Sequence, residues 1–289
     1  MSAQPAQPRE RGISLPHLKL AAQVWGEDGL PPLLAVHGWL DNAGSFARLA
    51  PLLAGHFQVI ALDLPGHGHS QHLPAGMGYH YSDHVRTLLE VLDALQAERI
   101  HVLAHSLGAG ICSLVAAAAP ARLGRLWLIE GLGPLADDGS HTLARWREAL
   151  APPPARKRRP LRLFTGIEQA VAARVAASGL AADLARPIVE RGLLAVDGGW
   201  RWRSDPRLTR PSAIRLAESQ VRSLLAGVDT PTALLLAQPE TPYLPGALLR
   251  ERAACVPDIT VSWMAGCHHL HLEHPRAVAG WVLGEAARA

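Results

Sequence analysis

The sequence predicts an α/β fold with a mostly parallel sheet and helices on both of its faces. Short apolar runs, each long enough for one strand, alternate with longer segments whose apolar residues recur every three or four positions. Most of these runs are apolar throughout, which is typical of parallel strands buried on both faces. The chain has 289 residues, enough for one large domain of this class or a core with a small insertion.

The predicted elements follow one another in a regular order. Apolar and polar residues alternate over residues 17–28, which predicts a hairpin or paired edge strands that end at Gly26 to Gly29. The first series then comprises strand 33–36, helix 45–53, strand 57–62, helix 81–96, strand 100–103, helix 107–119 and strand 126–129. The second series comprises strand 233–237, a helix around 244–254, strand 259–263 and a final helix from Pro275.

An inserted segment separates the two series. Residues 131–226 show helical patterns but no convincing buried strand. We therefore expect residues 1–130 and 227–289 to form the α/β core, and residues 131–226 to form a mostly helical unit outside the sheet.

Composition excludes several classes of protein. The chain is 48% apolar, which argues against global disorder, and its net charge of +3 is too small to indicate a nucleic-acid or membrane-surface protein. The basic run 156–159 has no interleaved aromatic residues and is interpreted as a solvated face. No apolar run reaches the ~18–20 residues of a membrane span. Residues 1–12 lack the apolar stretch of a signal peptide and are expected to be a disordered lead-in, which favours the cytoplasm.

A serine at the corner between a strand and a helix is the strongest chemical signal. Residues 104–108 read Ala-His-Ser-Leu-Gly, close to the G-x-S-x-G elbow that exposes a nucleophilic serine on a sharp turn. Ala104 replaces the first glycine of that pattern but keeps a small volume there. Ser106 is therefore the candidate nucleophile, with a simple helix N-cap as the alternative.

A serine hydroxyl needs a base, and the histidine-rich run after the last strand supplies candidates. His268 comes first after that strand and is expected to be the base, whereas His269 and His271 are expected to be structural or supporting residues. The run lacks the glutamate-bearing helix of HExxH zinc sites, and the three cysteines match no metal-ligand spacing. No metal or other cofactor is predicted.

The base in turn needs a carboxylate to orient it, and two glutamates qualify. Glu130 ends the strand that follows the elbow helix, and Glu240 lies just past the next strand of the second series. Either one keeps the chain order serine, acid, histidine. The residues alone do not decide whether Glu130 or Glu240 is the acid.

A glycine-containing loop after the first central strand completes the candidate site. Acyl transfer builds an oxyanion that backbone N–H groups stabilise. We expect one donor from Leu107, which follows the nucleophile, and one from Trp39, which follows Gly38 in the loop.

These residues together resemble the α/β-hydrolase fold enzymes. The resemblance rests on HGW at 37–39, DLPGHGHS at 63–70, AHSLG at 104–108 and GCHHLHLEHP at 266–275. Within that family the chain looks most like the serine hydrolase-like proteins, which are related to haloalkane dehalogenases, because of LIEGLGPL at 128–135 and DGGWRWRSDPRL at 197–208. The resemblance implies a helical cap at 131–226 and favours Glu130 over Glu240 as the acid.

Two departures from the dehalogenases define the expected chemistry. The nucleophile is Ser106 where those enzymes use aspartate, and Leu107 stands where their halide pocket has tryptophan. A small-molecule ester and an acyl-enzyme are therefore expected. Carbon–carbon bond hydrolysis, perhydrolysis and lactone opening use the same triad and stay open, as does a hydrolase-fold binding protein with a silent site. Oligomeric state is left open.

Overall fold

One mixed sheet of eight strands organises the protein. The computed structural model describes residues 7–151, 162–242 and 244–287, so the basic run 156–159 and the prolines 152–154 lie outside the described residues. The strands are β1 (Arg9–Ser14), β2 (Lys19–Trp25), β3 (Pro32–Val36), β4 (Gln58–Leu62), β5 (Ile100–His105), β6 (Leu123–Ile129), β9 (Thr232–Gln238) and β10 (Ile259–Ala265). Their spatial order is β1-β2-β4-β3-β5-β6-β9-β10.

Six of these strands run parallel to one another. β1 and β2 form an antiparallel pair at one edge, β2 pairs antiparallel with β4, and every pair from β4 to β10 is parallel. The central strands are buried on both faces, as their uninterrupted apolar sequences require. The predicted α/β fold class is confirmed.

Helices cover both faces of the sheet. They are α1 (Ala50–Leu53), α2 (Tyr81–Ala94), α3 (Leu107–Ala118), α4 (Thr142–Leu150), α5 (Ile167–Ser178), α6 (Ala182–Gly192), α7 (Glu218–Leu225), α8 (Gly246–Ala253), α9 (Leu270–Glu273) and α10 (Pro275–Ala286). α2, α3 and α7 contribute to one buried apolar cluster, and α1 and α10 contribute to another on the opposite face. No helix in the described ranges is long and apolar enough to cross a membrane.

The structure corrects the sequence analysis near the N-terminus. Residues 9–12 were expected to belong to a disordered lead-in, but they are part of β1 and pair with β2. β1 is an exposed edge strand with only Ile13 buried, so apolar alternation could not reveal it. The hairpin expected within residues 17–28 is in fact β1 with β2.

Two further elements differ from expectation. The helix predicted over residues 45–53 is broken into a 3₁₀ turn at Ala43–Phe46 and the single turn α1, with Pro51 in its first turn. The segment between β6 and β9 contains a two-stranded antiparallel hairpin, β7 (Leu193–Val196) with β8 (Gly199–Trp202), where a mostly helical unit was expected. Its strands are half-exposed, which explains why no buried run marked them.

A buried ionic contact joins the inserted segment to the sheet. Asp63, directly after β4, is fully buried and accepts two hydrogen bonds of 3.0 Å from Nε of Arg191 in α6. The same guanidinium donates to Glu10 of β1 at 2.7 Å. Backbone N–H groups of Ala43 and His69 also donate to Asp63. Arg191 thus connects three distant parts of the chain. The division into core and cap at residues 131 and 226 stays a prediction.

Removing this guanidinium should destabilise the fold strongly. Arg191→Met leaves the buried Asp63 carboxylate without its counter-charge, which typically costs about 3–5 kcal/mol. Urea denaturation should show that loss in the free energy of unfolding. Arg186→Met, on the same helix, removes a solvent-exposed ion pair with Glu168 and should change it little. Equal losses in the two variants would contradict this interpretation of Arg191.

Candidate active site

Ser106 lies on a strained turn between β5 and α3. Its backbone has φ 51° and ψ −113°, in the left-handed region that non-glycine residues rarely adopt. Hydrogen bonds hold the turn: the Ser106 N–H donates to Ile129 O at 2.9 Å, and the Gly110 N–H donates to Ser106 O at 3.0 Å. A Cβ on Gly108 would lie 2.4 Å from the carbonyl oxygen of Val36, so the second small position of the elbow requires glycine.

His268 connects the serine to a carboxylate. It follows β10 by three residues, in the loop before α9. Its Nε2 lies 2.9 Å from Ser106 Oγ, and its Nδ1 lies 2.9 Å from Glu130 Oε2. Because a carboxylate only accepts, Nδ1 carries the proton and Nε2 presents a lone pair to the serine hydroxyl. This is the arrangement that general-base activation of a serine needs.

Glu130 is held by several donors at the end of β6. It is buried, with φ 54°, a second non-glycine residue in the left-handed region. The Ala237 N–H donates to its Oε1 at 2.6 Å, and the Thr241 hydroxyl donates to its Oε2. Burial alone would raise the pKa of Glu130, but the hydrogen bonds from His268, Thr241 and Ala237 outweigh burial and lower it. The carboxylate is therefore ionised where a histidine could act as a base.

Glu240, the alternative acid, faces elsewhere. Its Oε2 accepts from the Gly246 N–H at 2.8 Å, at the start of α8, and its Oε1 lies 3.6 Å from Arg250. The Glu240 side chain is 44% exposed, whereas that of Glu130 is 3% exposed. Of the two glutamates, the structure brings only Glu130 to His268.

The candidate oxyanion donors lie on either side of the serine. Leu107 is the first residue of α3, so its N–H has no acceptor within the helix. The loop with Trp39 passes close to the elbow, since a Cβ on Gly38 would lie 3.2 Å from Ser106 Cβ. The Trp39 side chain is 53% exposed, and its indole N–H donates to Leu208 O of the inserted segment at 2.9 Å.

Five adjacent parallel strands thus deliver the site. The loop of Trp39 follows β3, Ser106 follows β5, Glu130 follows β6, Thr241 follows β9 and His268 follows β10. The carboxyl ends of parallel strands meet at one edge, which is where open α/β sheets bind ligands. Residues scattered over 230 positions of sequence therefore lie together.

A second layer of polar side chains lies beside Ser106, His268 and Glu130. Sequence reasoning expected His269 and His271 to support the site but missed Asp41, His105 and Arg174. His105 Nε2 lies 2.9 Å from the backbone oxygen of His268. His269 Nε2 lies 3.2 Å from Asp41 Oδ2, and Arg174 of α5 pairs with the other oxygen of Asp41. Thr241, described above, was missed as well. His105 could have been found from the sequence, because it directly precedes the candidate nucleophile, just as His269 directly follows the candidate base.

His271 belongs to this layer as a buried support. Its Nε2 lies 2.7 Å from Ser45 Oγ, and its ring packs 4.4 Å from that of His105, measured between centroids. Burial lowers its pKa to about 3, so the ring is neutral. The expectation that His269 and His271 support the site agrees with these contacts.

Comparisons with known proteins find similarity to α/β-hydrolase fold and serine hydrolase-like proteins. The family model described as alpha/beta hydrolase fold matches residues 31–166. A serine hydrolase-like protein of Danio rerio is 29% identical over 276 residues, which cover 92% of this chain and 85% of that protein. The crystal structure of a hypothetical protein from Pseudomonas aeruginosa PAO1 has 37% identity and a TM-score of 0.89, covering 98% of this chain and 100% of that one. A thioesterase domain from the curacin biosynthetic pathway, at 22% identity over 96% of this chain and 100% of that one, shares the fold with a TM-score of 0.81.

Proposed function

This chain belongs to the α/β-hydrolase fold family, and we propose that it acts there as a serine hydrolase cleaving small carboxylic esters through an acyl-enzyme. One observation carries the proposal: Ser106 Oγ, both nitrogens of His268 and Glu130 Oε2 form a continuous series with two 2.9 Å separations. A serine, a histidine and an ionised carboxylate in this order are the parts that nucleophilic acyl transfer uses.

The proposed first half-reaction acylates the serine. Ser106 Oγ attacks the ester carbonyl carbon while His268 Nε2 takes the hydroxyl proton. Glu130 keeps the ring oriented and stabilises the imidazolium that forms. The developing oxyanion would accept hydrogen bonds from the N–H groups of Trp39 and Leu107. His268 then gives its proton to the leaving alcohol, and the carbon–oxygen bond to that alcohol breaks.

The second half-reaction releases the acid. A water molecule, deprotonated by His268, attacks the acyl-Ser106 carbonyl, and the proton returns to Ser106 Oγ as the carboxylic acid leaves. No cofactor is required for either half.

The inserted segment is proposed to select the substrate. Trp39 spans from the oxyanion loop to Leu208 of that segment, so the two meet beside the elbow. Residues 131–226 would then form a wall of the acyl or alcohol pocket, as a cap does.

A fluorophosphonate probe tests the proposal without knowledge of the substrate. The probe should label the native chain once, on the peptide that contains Ser106, because only an activated serine reacts. The Ser140→Ala variant removes an exposed serine and should label equally. A series of p-nitrophenyl esters of increasing acyl length, with a lactone and a thioester alongside, should then show hydrolysis of the esters. Absence of both labelling and ester turnover in the folded protein would overturn the proposal.

A further inference from the structure

A carboxylate and two imidazoles meet in a buried group next to His268. Asp41 comes from the loop after β3, His105 precedes Ser106, and His269 follows His268. Asp41 Oδ2 lies 3.2 Å from His269 Nε2 and 3.7 Å from His105 Nδ1, and the three atoms lie within 4.8 Å of one another. Two imidazole nitrogens and a carboxylate oxygen are ligands that Zn²⁺ accepts, with a fourth position left for water.

The proton on His105 identifies a lone pair that faces the carboxylate. His105 Nε2 lies 2.9 Å from the backbone carbonyl oxygen of His268. Because a carbonyl oxygen can only accept a hydrogen bond, His105 Nε2 carries the proton. A neutral imidazole carries one ring proton, so with that proton on Nε2 the Nδ1 atom presents a lone pair. The His105 side chain is 1% exposed, and Nδ1 has no hydrogen-bond partner among the described residues. Two lone-pair donors therefore face each other at 3.7 Å, and a cation between them would satisfy both.

The surroundings leave room and fix the carboxylate. A Cβ on Gly38 would lie 2.9 Å from His105 Nδ1, so glycine keeps that side of the nitrogen open. Arg174 pairs with Asp41 Oδ1 and thereby turns Oδ2 towards the histidines, as outer partners of metal ligands do. The Asp41 side chain is buried, and the Arg174 guanidinium beside its Oδ1 supplies the counter-charge for an ionised carboxylate. The positive charge of Arg174 reduces the attraction for a dication, which favours reversible binding.

We propose that Asp41, His105 and His269 bind Zn²⁺ and that the bound ion inhibits the hydrolysis proposed above. Zinc bonds of about 2.0–2.2 Å place tetrahedral ligand atoms roughly 3.4 Å apart. Binding therefore draws His105 Nδ1 in from its 3.7 Å separation from Asp41 Oδ2, while the 3.2 Å contact between Asp41 Oδ2 and His269 Nε2 widens slightly. Because the Asp41 carboxylate only accepts, His269 Nε2 carries a proton in its contact with Asp41. Zinc replaces that proton, which passes to Nδ1 or to solvent, and the bound ring is protonated on Nδ1 alone. His105 holds the carbonyl of His268, and His269 is the next residue, so the contraction displaces the peptide that carries the base. A displacement of about 1 Å at a reacting group can cost on the order of 100-fold in rate.

Direct binding measurements test the site independently of activity. Equilibrium dialysis of the tag-free chain against ZnCl₂ at pH 7.5 should give one zinc per chain for both the wild type and Ser106→Ala. His269→Gln should weaken binding by at least about tenfold. His274→Gln, which removes the half-exposed histidine five residues further on, should bind as the wild type does. Equal affinity in His269→Gln and wild type, or loss of binding in Ser106→Ala, would overturn the site.

A second measurement needs no substitution. Zinc K-edge X-ray absorption of the wild-type complex should show two imidazole nitrogens and oxygen ligands. A sulfur ligand would instead place the ion at Cys267, whose Sγ accepts from the backbone N–H of His269 at 3.4 Å. That result would refute the proposed site.

The inhibitory half of the proposal rests on the proposed function. Stoichiometric zinc should reduce ester turnover at least about tenfold, and EDTA should restore it. Zinc bound at Asp41, His105 and His269 with turnover unchanged would refute inhibition alone. If the chain turned over no ester at all, the proposed function would fail while the dialysis result still decided the metal site.

Discussion

Ser106→Ala should reduce kcat for p-nitrophenyl ester hydrolysis by on the order of 10⁴ to 10⁶. The hydroxyl is the only proposed nucleophile, and its 2.9 Å contact with His268 Nε2 provides the proton transfer that activates it. Without it, catalysis falls to what substrate binding and the oxyanion donors supply. Steady-state rates at saturating substrate, corrected for spontaneous hydrolysis, measure the effect.

The alanine variant should keep the wild-type thermal unfolding midpoint or exceed it, since a small side chain is removed from a solvent-accessible turn. Ser140→Ala is the matched control and should retain full activity. Turnover by Ser106→Ala within tenfold of the wild type would eliminate the acyl-enzyme mechanism.

Glu130→Gln should reduce kcat by on the order of 10⁴, by analogy with the loss of the triad acid in serine proteases. The glutamine side chain is nearly isosteric with glutamate, but its NH₂ group donates and cannot accept the hydrogen bond from His268 Nδ1. The histidine ring is then held in the wrong tautomer. The imidazolium that forms during the reaction also loses its counter-charge. Since Glu130 also accepts from Ala237 and Thr241, circular dichroism should accompany the kinetics to confirm folding.

Glu240→Gln supplies the comparison for that experiment. Its carboxylate accepts from the Gly246 N–H at the start of α8 and lies near Arg250 of the same helix, so kcat should change less than about twofold. A large loss in Glu240→Gln together with a small loss in Glu130→Gln would reverse the assignment of the acid.

Much of the candidate site could be predicted because each member directly follows a strand. Ser106, Glu130 and His268 come one to three residues after β5, β6 and β10, and a parallel sheet brings such positions to one edge. The choice between Glu130 and Glu240 could not be made from the residues alone, because β6 and β9 are neighbours in the sheet. The contacts in the structure distinguish them, since Glu130 Oε2 lies 2.9 Å from His268 Nδ1 and Glu240 accepts from the Gly246 N–H instead.

What the sequence did not reveal depends on contacts between distant segments. Arg191 lies on α6 and contacts both Asp63 and Glu10. No local sequence pattern indicates where α6 lies relative to β1. Asp41 and His269 likewise lie in two separate loops, and His105 ends β5. The HHxH spacing does not indicate that Asp41, 228 residues earlier in the chain, lies beside His269. Edge strands such as β1 escape detection because their stability comes from backbone pairing rather than apolar burial.

The unusual backbone at Ser106 and Glu130 also bears on whether this protein could be an inert scaffold. Each left-handed non-glycine residue costs of order 1–3 kcal/mol, against a total stability of typically 5–15 kcal/mol for a domain. Glycine at position 106 would relieve that strain, but it would also remove the hydroxyl that the proposed hydrolysis uses. The proposed turnover needs both strained side chains, so it accounts for a stability cost that an inert scaffold would not require.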